Sequence, residues 1–472
     1  MTRAAPLAFG FVFLITALRL VALWVDQTDL FVDESQYWLW GQSLDFGYYS
    51  KPPLIAWVIR LVTELAGSID SFWVRFPAPI FHAATATILF YAGRQIFDDR
   101  AAFWVAVTYI TLPMTSLGSY LISTDTIMLP FFAAGLWAYM RALETGKNGP
   151  AIWAGLAIGV GFMAKYAAVY FLMGAGLAAI FVPVLRPNLK QLAVFLIAFA
   201  VVISPNIIWN FQNDLTTVTH TMENVSWVQQ DIGLSLNFAG LLEFFFAQFL
   251  VFGPILFSAL LFAIWRPLYP EYRLLAWHIW PIIALVIVQA LLARAYANWA
   301  VAAYIGGSLL VVVWLLDRRP IWLRLSLAFN GTIAIIFAGV IILGPVAAIN
   351  GKPVLARYYG RAAVSEQIID RATEQAVTVI VSDNRDLLAD LFLRGFNTDQ
   401  QIFAAPFAGP PRNYYEQNFM MPKGLNAPIL FASFGTPPDC AITSTPIETG
   451  IGAFAGKPVF AAVIPADCLR AK

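Results

Sequence analysis

Apolar runs of near membrane-spanning length recur along the chain, and each is ended by charged residues, glycine or proline. They fall at residues 7–25, 76–95, 101–118, 125–142, 150–164, 166–184, 190–209, 241–265, 274–292, 298–316 and 322–345. About 20 apolar residues in helical form cross the ~30 Å hydrocarbon core of a bilayer, so the pattern predicts a polytopic α-helical membrane protein with about 11 transmembrane helices. The run at 150–164 is short, and 150–184 admits a second parsing. Arg3 precedes the first run, and no small-residue cleavage site ends it, which predicts a retained first helix rather than a cleaved signal peptide. Beyond residue 346 the pattern changes. Strand-like runs at 378–382, 429–434 and 459–464 accompany helix-like runs at 365–375 and 383–393, which predicts a small α/β domain. The expected division is a membrane domain over 1–346, with a long first loop at 26–75, and a second domain over 347–472.

Composition agrees with the pattern. The chain is 60% hydrophobic and 12% charged, about half the charge of a soluble domain. A net charge of +1 implies no bulk attraction to nucleic acid. The two cysteines, Cys440 and Cys468, both lie near the C-terminus. They exclude a cysteine-based metal cluster, and both a disulfide in an oxidising compartment and two buried thiols remain open.

Basic residues set the expected orientation, because short cytoplasmic loops carry the excess of lysine and arginine. With the N-terminus inside, the inner connections hold Arg94 and Arg100; Arg141 and Lys147; Arg186 and Lys190; Arg266 and Arg273; and Arg318, Arg319 and Arg324. The opposite loops are poorer in basic residues for their length, which places the first loop and the C-terminal domain outside.

That parity collects the unusual polar residues on one face. Asp33, Glu34 and Lys51 lie in the first loop, FVDESQYWLWGQSLDFGYYSKPPLIAW; Asp125 lies in SYLISTDTIMLP; Lys165 and Tyr166 lie in GFMAKYAAVYF; His220 and Glu223 lie in the loop 210–240; Arg294 and Asn298 lie in ARAYANWAVAAY. Ionisable groups near a bilayer are costly unless paired or functional, so five outer connections supplying them suggest one shared cavity. Lys51, Lys165 and Arg294 suit a lipid phosphate at headgroup level, and a carboxylate such as Asp33 suits the proton of an acceptor hydroxyl. Each residue also has a structural reading. Asp33 and Glu34 suit the N-terminus of an interfacial helix, and Asp125 suits a cap on its own helix. Lys51 suits a snorkelling anchor, and Lys165 and Arg294 suit contacts with bulk headgroups. Tyr37 and its aromatic neighbours suit an interfacial belt as well as a sugar platform. His220 alone is a weak sign of a base or a metal, and His82 and His278 read as packed residues.

VDESQYW followed by YYSKPPL resembles the first-loop signature of the GT-C glycosyltransferases of the dolichyl-phosphate-mannose protein mannosyltransferase and aminoarabinose transferase superfamily. STDTIMLP, AKYAAVY, ANWAVAAY, DNRDLLADLFLRG and GPPRNYYE resemble its bacterial lipopolysaccharide galacturonosyltransferase-like branch. The resemblance implies a GT-C fold, an undecaprenyl-phosphate-linked sugar donor, and an acceptor approached from the periplasm, lipid A or lipopolysaccharide core. It implies Asp33 as the essential acid, Lys51 at the lipid phosphate, and Asp125 as a second functional acid. Glu34, Tyr37, Lys165, Tyr166, His220, Arg294 and Asn298 are then expected to bind substrate. Aminoarabinose transferases carry a glutamate, able to ligand a metal, just before that lysine. This chain has Ser50 there, and no metal is expected.

The leading expectation is therefore an inverting glycosyltransferase of the bacterial inner membrane. The rivals are a lipid-linked sugar transporter or flippase and a protein O-mannosyltransferase-like enzyme. A transporter calls for polar residues near the bilayer midplane and for internal repeats, and neither is evident.

Overall fold

In this computed structural model, residues 4–225, 236–263 and 270–469 are described. Arg266, the side chain of Glu223 and part of the loop 210–240 fall outside them. The eleven apolar runs fall on helices where described, with 101–118, 241–265 and 274–292 each divided between two helices. In chain order the helices are α1 (Ala4–Trp24), α2 (Val32–Gly41), α3 (Leu54–Ala66), α4 (Ser71–Arg75), α5 (Pro77–Ile96), α6 (Asp99–Thr111) and α7 (Pro113–Gly118). There follow α8 (Thr124–Thr145), α9 (Asn148–Ala164), α10 (Tyr170–Phe181), α11 (Leu189–Gln212), α12 (Thr216–Val225), α13 (Phe238–Val251) and α14 (Pro254–Ala263). Next are α15 (Pro270–Trp277), α16 (Trp280–Leu292), α17 (Ala303–Arg318) and α18 (Pro320–Leu343). Among the described residues five helices are long and apolar enough to cross a membrane, or six if the bent pair α13–α14 forms one span. That pair turns by 111° at Gly253, whose φ of +93° is closed to ordinary side chains. Large apolar side chains lie outward on these helices, such as Phe13 at 75% exposure and Ile335 at 74%. Lipid rather than water suits such a surface.

The chain separates into two compact units that do not follow its order. The first comprises residues 1–23, 45–55 and 75–338; the second comprises 24–44, 56–74 and 339–472. In the first unit α8, α9 and α11 pack closely. A side chain at Gly155 would meet the Phe195 backbone, and one at Gly159 would meet Val202, so small residues set the helix approach, as is common where lipid supplies no hydrophobic drive. Arg19 is buried within α1. Its Nη2 donates to Ile110 O at 2.7 Å and to Ser116 Oγ at 3.0 Å. Its charge thus meets the negative end of α6, where Pro113 interrupts the helix.

In the second unit a short hairpin, β1 (Ala348–Ile349) with β2 (Lys352–Pro353), leads into α19 (Arg361–Glu374), β3 (Val379–Ser382), α20 (Arg385–Arg394), β4 (Gln401–Ala404) and α21 (Tyr414–Asn418). β5 (Ile429–Phe434), β6 (Thr443–Ile447) and β7 (Val459–Ile464) follow. The mixed sheet has the order β4-β3-β5-β7-β6; β3 is parallel to β4 and β5, and β7 is antiparallel to β5 and β6. Cys440 and Cys468 form a disulfide, Cα atoms 6.4 Å apart, against one face of the sheet.

The parts of the first loop at 26–44 and 56–74 belong to this second unit, while 45–55 belongs to the first. α2 packs on α20, with Trp38 edge-on to Phe396 at 5.1 Å and Trp40 edge-on to Tyr414 at 5.8 Å. α19 begins after Gly360, which has no side chain to cap it. Asp29 supplies the cap, its Oδ2 accepting from Arg361 N at 2.8 Å and from Ala362 N at 3.3 Å.

Candidate active site

Within the first unit, three of the expected residues meet at one carboxylate. Ser123 caps α8, its Oγ accepting from Thr126 N at 3.2 Å. Asp125 is thereby released from the capping role and points elsewhere in the first turn. Lys165 Nζ lies 2.7 Å from both Asp125 oxygens, and Asn298 Nδ2 donates to Oδ2 at 2.7 Å. Lys165 ends α9 in extended backbone, φ −156°, which swings its side chain out of the helical direction. The Lys165 and Asp125 side chains are 16% and 12% exposed, so this is a largely desolvated pair whose charges are strongly coupled.

Tyr166, the next residue, binds α11. Its Oη donates to Asn206 Oδ1 at 3.0 Å and accepts from Asn210 Nδ2 at 3.2 Å. Asn206 Nδ2 in turn donates to Phe46 O at 2.7 Å, and Thr217 Oγ1 donates to Tyr48 O at 2.6 Å. The segment carrying Lys51 is thus pinned to α11 and α12. Tyr48 N donates to Lys51 O at 3.1 Å, closing the turn before the two prolines, and Lys51 is half-buried. His220 packs its ring on Tyr49 at 4.7 Å. Arg294 stands exposed over the Tyr296 ring at 4.6 Å and makes no ion pair among the described residues. An apolar cavity of about 270 Å³ is lined by Tyr170, Thr221, Met222, Leu285, Val286, Gln289 and Trp299. Trp299 adjoins Asn298 in sequence.

Within the second unit, Asp33 stands in the first turn of α2, where the helix dipole favours a carboxylate. Its Oδ1 accepts from Arg385 Nη2 at 2.6 Å. Arg385 also donates to Gln36 Oε1, from Nε at 3.2 Å and from Nη2 at 3.1 Å. Gln36 is buried, and Asp33 and Arg385 are 49% and 38% exposed. Burial works against the Arg385 charge, but the charge of Asp33 and its hydrogen bond outweigh it and raise the Arg385 pKa above the ordinary value. Glu34 is buried, and its Oε2 accepts from Phe31 N at 2.9 Å, capping α2. Tyr37 is buried with its ring 5.2 Å from Trp40.

Arg385, Gln36, Asn206 and Asn210 escaped the sequence reading. The signal for Arg385 was the segment DNRDLLADLFLRG, noticed as a resemblance but not read for charge. Asn206 and Asn210 stand one helical turn apart at the end of α11, Asn206 inside the apolar run and Asn210 just past it, and that spacing marks a polar stripe. Among the described residues no three His, Cys, Asp or Glu side chains group as a metal site, and Ser50 stands where a ligand glutamate would be.

The family model described as dolichyl-phosphate-mannose-protein mannosyltransferase matches residues 50–209. The lipid A galacturonosyltransferase RgtD of Rhizobium johnstonii is 40% identical over 432 residues, 89% of this chain and 89% of that one. The undecaprenyl phosphate-alpha-4-amino-4-deoxy-L-arabinose arabinosyl transferase of Edwardsiella ictaluri is 30% identical over 136 residues, 27% of this chain and 24% of that one. ArnT from Cupriavidus metallidurans bound to undecaprenyl phosphate shares the fold, with a TM-score of 0.65 at 15% identity, covering 96% of this chain and 97% of that one. The near-full-length match to RgtD at 40% identity establishes kinship as well as fold: the chain belongs to the GT-C glycosyltransferases of the dolichyl-phosphate-mannose protein mannosyltransferase and aminoarabinose transferase superfamily, in their lipopolysaccharide galacturonosyltransferase-like branch.

Proposed function

We propose that the enzyme moves a uronic acid residue from a polyprenyl-phosphate donor to lipid A, with inversion at the anomeric carbon. The observation that carries this reading is the 40% identity to a lipid A galacturonosyltransferase across 89% of both chains. The lipopolysaccharide core is the alternative acceptor. The proposed setting is the bacterial inner membrane, crossed by eleven helices, with the site and residues 347–472 on the periplasmic side.

The roles proposed follow the family resemblance, and the hydrogen bonds within each unit support them. Asp33 is the general base. Arg385 holds its Oδ1, and the other oxygen, which receives no hydrogen bond from the described residues, takes the proton of the acceptor hydroxyl. The hydroxyl oxygen then forms a bond to the sugar C1 as the bond from C1 to the phosphate oxygen breaks. The leaving lipid phosphate gains negative charge, which Lys51 and Arg294 stabilise, while Lys165 is held ready by Asp125 and Asn298. The proton passes from Asp33 to solvent. The apolar cavity beside Trp299 receives the first part of the polyprenyl chain. Tyr166 and His220 brace the donor side, Tyr37 and Glu34 brace α2, and no step passes through a metal.

Purified enzyme in proteoliposomes, given polyprenyl-phosphate galacturonic acid and lipid A, is expected to yield lipid A heavier by one hexuronic acid residue. Asp33→Asn is expected to abolish that product while retaining donor binding. Wild-type turnover by Asp33→Asn would remove Asp33 from the chemistry. Transfer only from a neutral-sugar donor would sink the uronic acid reading.

A further inference from the structure

A second groove lies in the first unit, away from these residues. It measures about 540 Å³ and is lined by α8, α9, α10 and α11, with Tyr139, Leu172, Gly176 and Phe195 on its walls and Arg186 and Gln191 at one end. The helices themselves fix its place. On α8 the groove reaches Ala142 whereas Asp125 begins the helix; on α9 it reaches Ala151 whereas Lys165 follows the far end; on α11 it reaches Gln191 whereas Asn206 lies toward the far end. At 1.5 Å per residue α8 and α9 run more than about 20 Å from Ala142 and Ala151 to Asp125 and Lys165, while Leu172 brings the other end of the groove within seven residues of Lys165. That helical span is most of the ~30 Å hydrocarbon thickness, so the end of the groove at Arg186 and Gln191 belongs to the opposite leaflet.

The mouth of the groove is built for an anion. Arg186 is fixed there by two bonds to the end of α10, from Nε to Ala179 O at 2.7 Å and from Nη2 to Ile180 O at 3.2 Å. Gln191 is 3% exposed and ties the same corner together, its Nε2 donating to Ala142 O at 2.6 Å and to Lys147 O at 3.3 Å. Outside the lining itself, Lys147, whose carbonyl Gln191 holds, and Lys190, which precedes Gln191 in the chain, are exposed and make no ion pair among the described residues. The walls are open: a side chain at Gly176 would meet nothing.

We propose that this groove binds one anionic glycerophospholipid, with an acyl chain along the apolar walls and the phosphate against Arg186 and Lys190. Basic pockets between transmembrane helices recognise such headgroups, and the volume lies within the range of ligand sites. The site is independent of glycosyl transfer.

The test is native mass spectrometry of the full chain released from nanodiscs of phosphatidylglycerol or of phosphatidylcholine. One phosphatidylglycerol is expected to stay bound. Arg186→Gln and Lys190→Gln should each weaken retention about fivefold, the effect of one cation near a phosphate surface. Gly176→Phe should expel the lipid while leaving every cation in place, and its unfolding temperature shows whether it still folds. Equal retention of phosphatidylcholine, no retained lipid, or unchanged retention by folded Gly176→Phe would each overturn the proposal.

Discussion

At the scale of single residues, two carboxylates are handled in opposite ways. Asp125 is largely desolvated and held by Lys165 and Asn298, whereas Asp33 is half-exposed and held on one oxygen by Arg385. Removing Lys165 strands a charge that is mostly out of water, so Lys165→Met should destabilise the first unit by about 3 kcal/mol. It should also lower kcat by roughly a hundredfold or more, as loss of a preorganised cation does. Unfolding temperature and single-turnover rates check the two effects separately. In the proposed mechanism Arg385 acts through Asp33, to which it donates a hydrogen bond. Arg385→Gln should lower kcat with little change in KM for the donor and move the pH–rate profile, and Arg385→Lys should rescue it only in part, because an ammonium cannot span Asp33 and Gln36 as a guanidinium does. An unmoved pH profile would leave Arg385 a merely structural residue.

At the scale of elements, the legibility of the sequence follows packing. The helical character of the apolar runs was readable from composition alone, whereas five helices among the described residues, or six with the bent pair, are long and apolar enough to cross a membrane. The strands β3, β5 and β7 were readable because they are buried on both faces. β4, QIFA, was missed because it is an edge strand only partly buried, and β6, TSTPI, was missed because it is a polar edge strand bearing Pro446. Asp125 and Lys165 could be placed on one face by loop parity, but Asp33 with Arg385 could not, since no periodicity links residues 352 positions apart. Helix approach was equally hidden, because a glycine's partner lies on another helix. Gly155→Val should force α9 from the Phe195 backbone and cost about 1–3 kcal/mol, measured as a lower unfolding temperature. Gly149→Val, where a side chain would meet nothing, is the control.

At the scale of the whole molecule, the second unit carries a built-in pH dependence. Asp390 is 2% exposed, 3.8 Å from Arg394, with Asp29 and Arg361 also acting on it. Burial raises its pKa to about 6, against roughly 3.9 in an unfolded chain. The folded form therefore holds the proton more tightly. Its stability advantage is full below about pH 4 and is lost as pH rises through about 6, a change on the order of 3 kcal/mol. Asp390→Asn should flatten that slope. Parallel unfolding curves for wild type and variant between pH 4 and pH 7 would acquit the buried carboxyl.

The helix that carries Asp33 is made early and completed late. Its partner Arg385 follows 352 residues behind Asp33. At synthesis rates of about 5–20 residues per second, α2 waits roughly 20–70 s with its aromatic face uncovered and its acid unpaired. Throughout that interval the first loop is a client for whatever holds exposed apolar segments at the membrane. A chain that stops short of α20 keeps its entire bundle and never assembles the unit that holds Asp33.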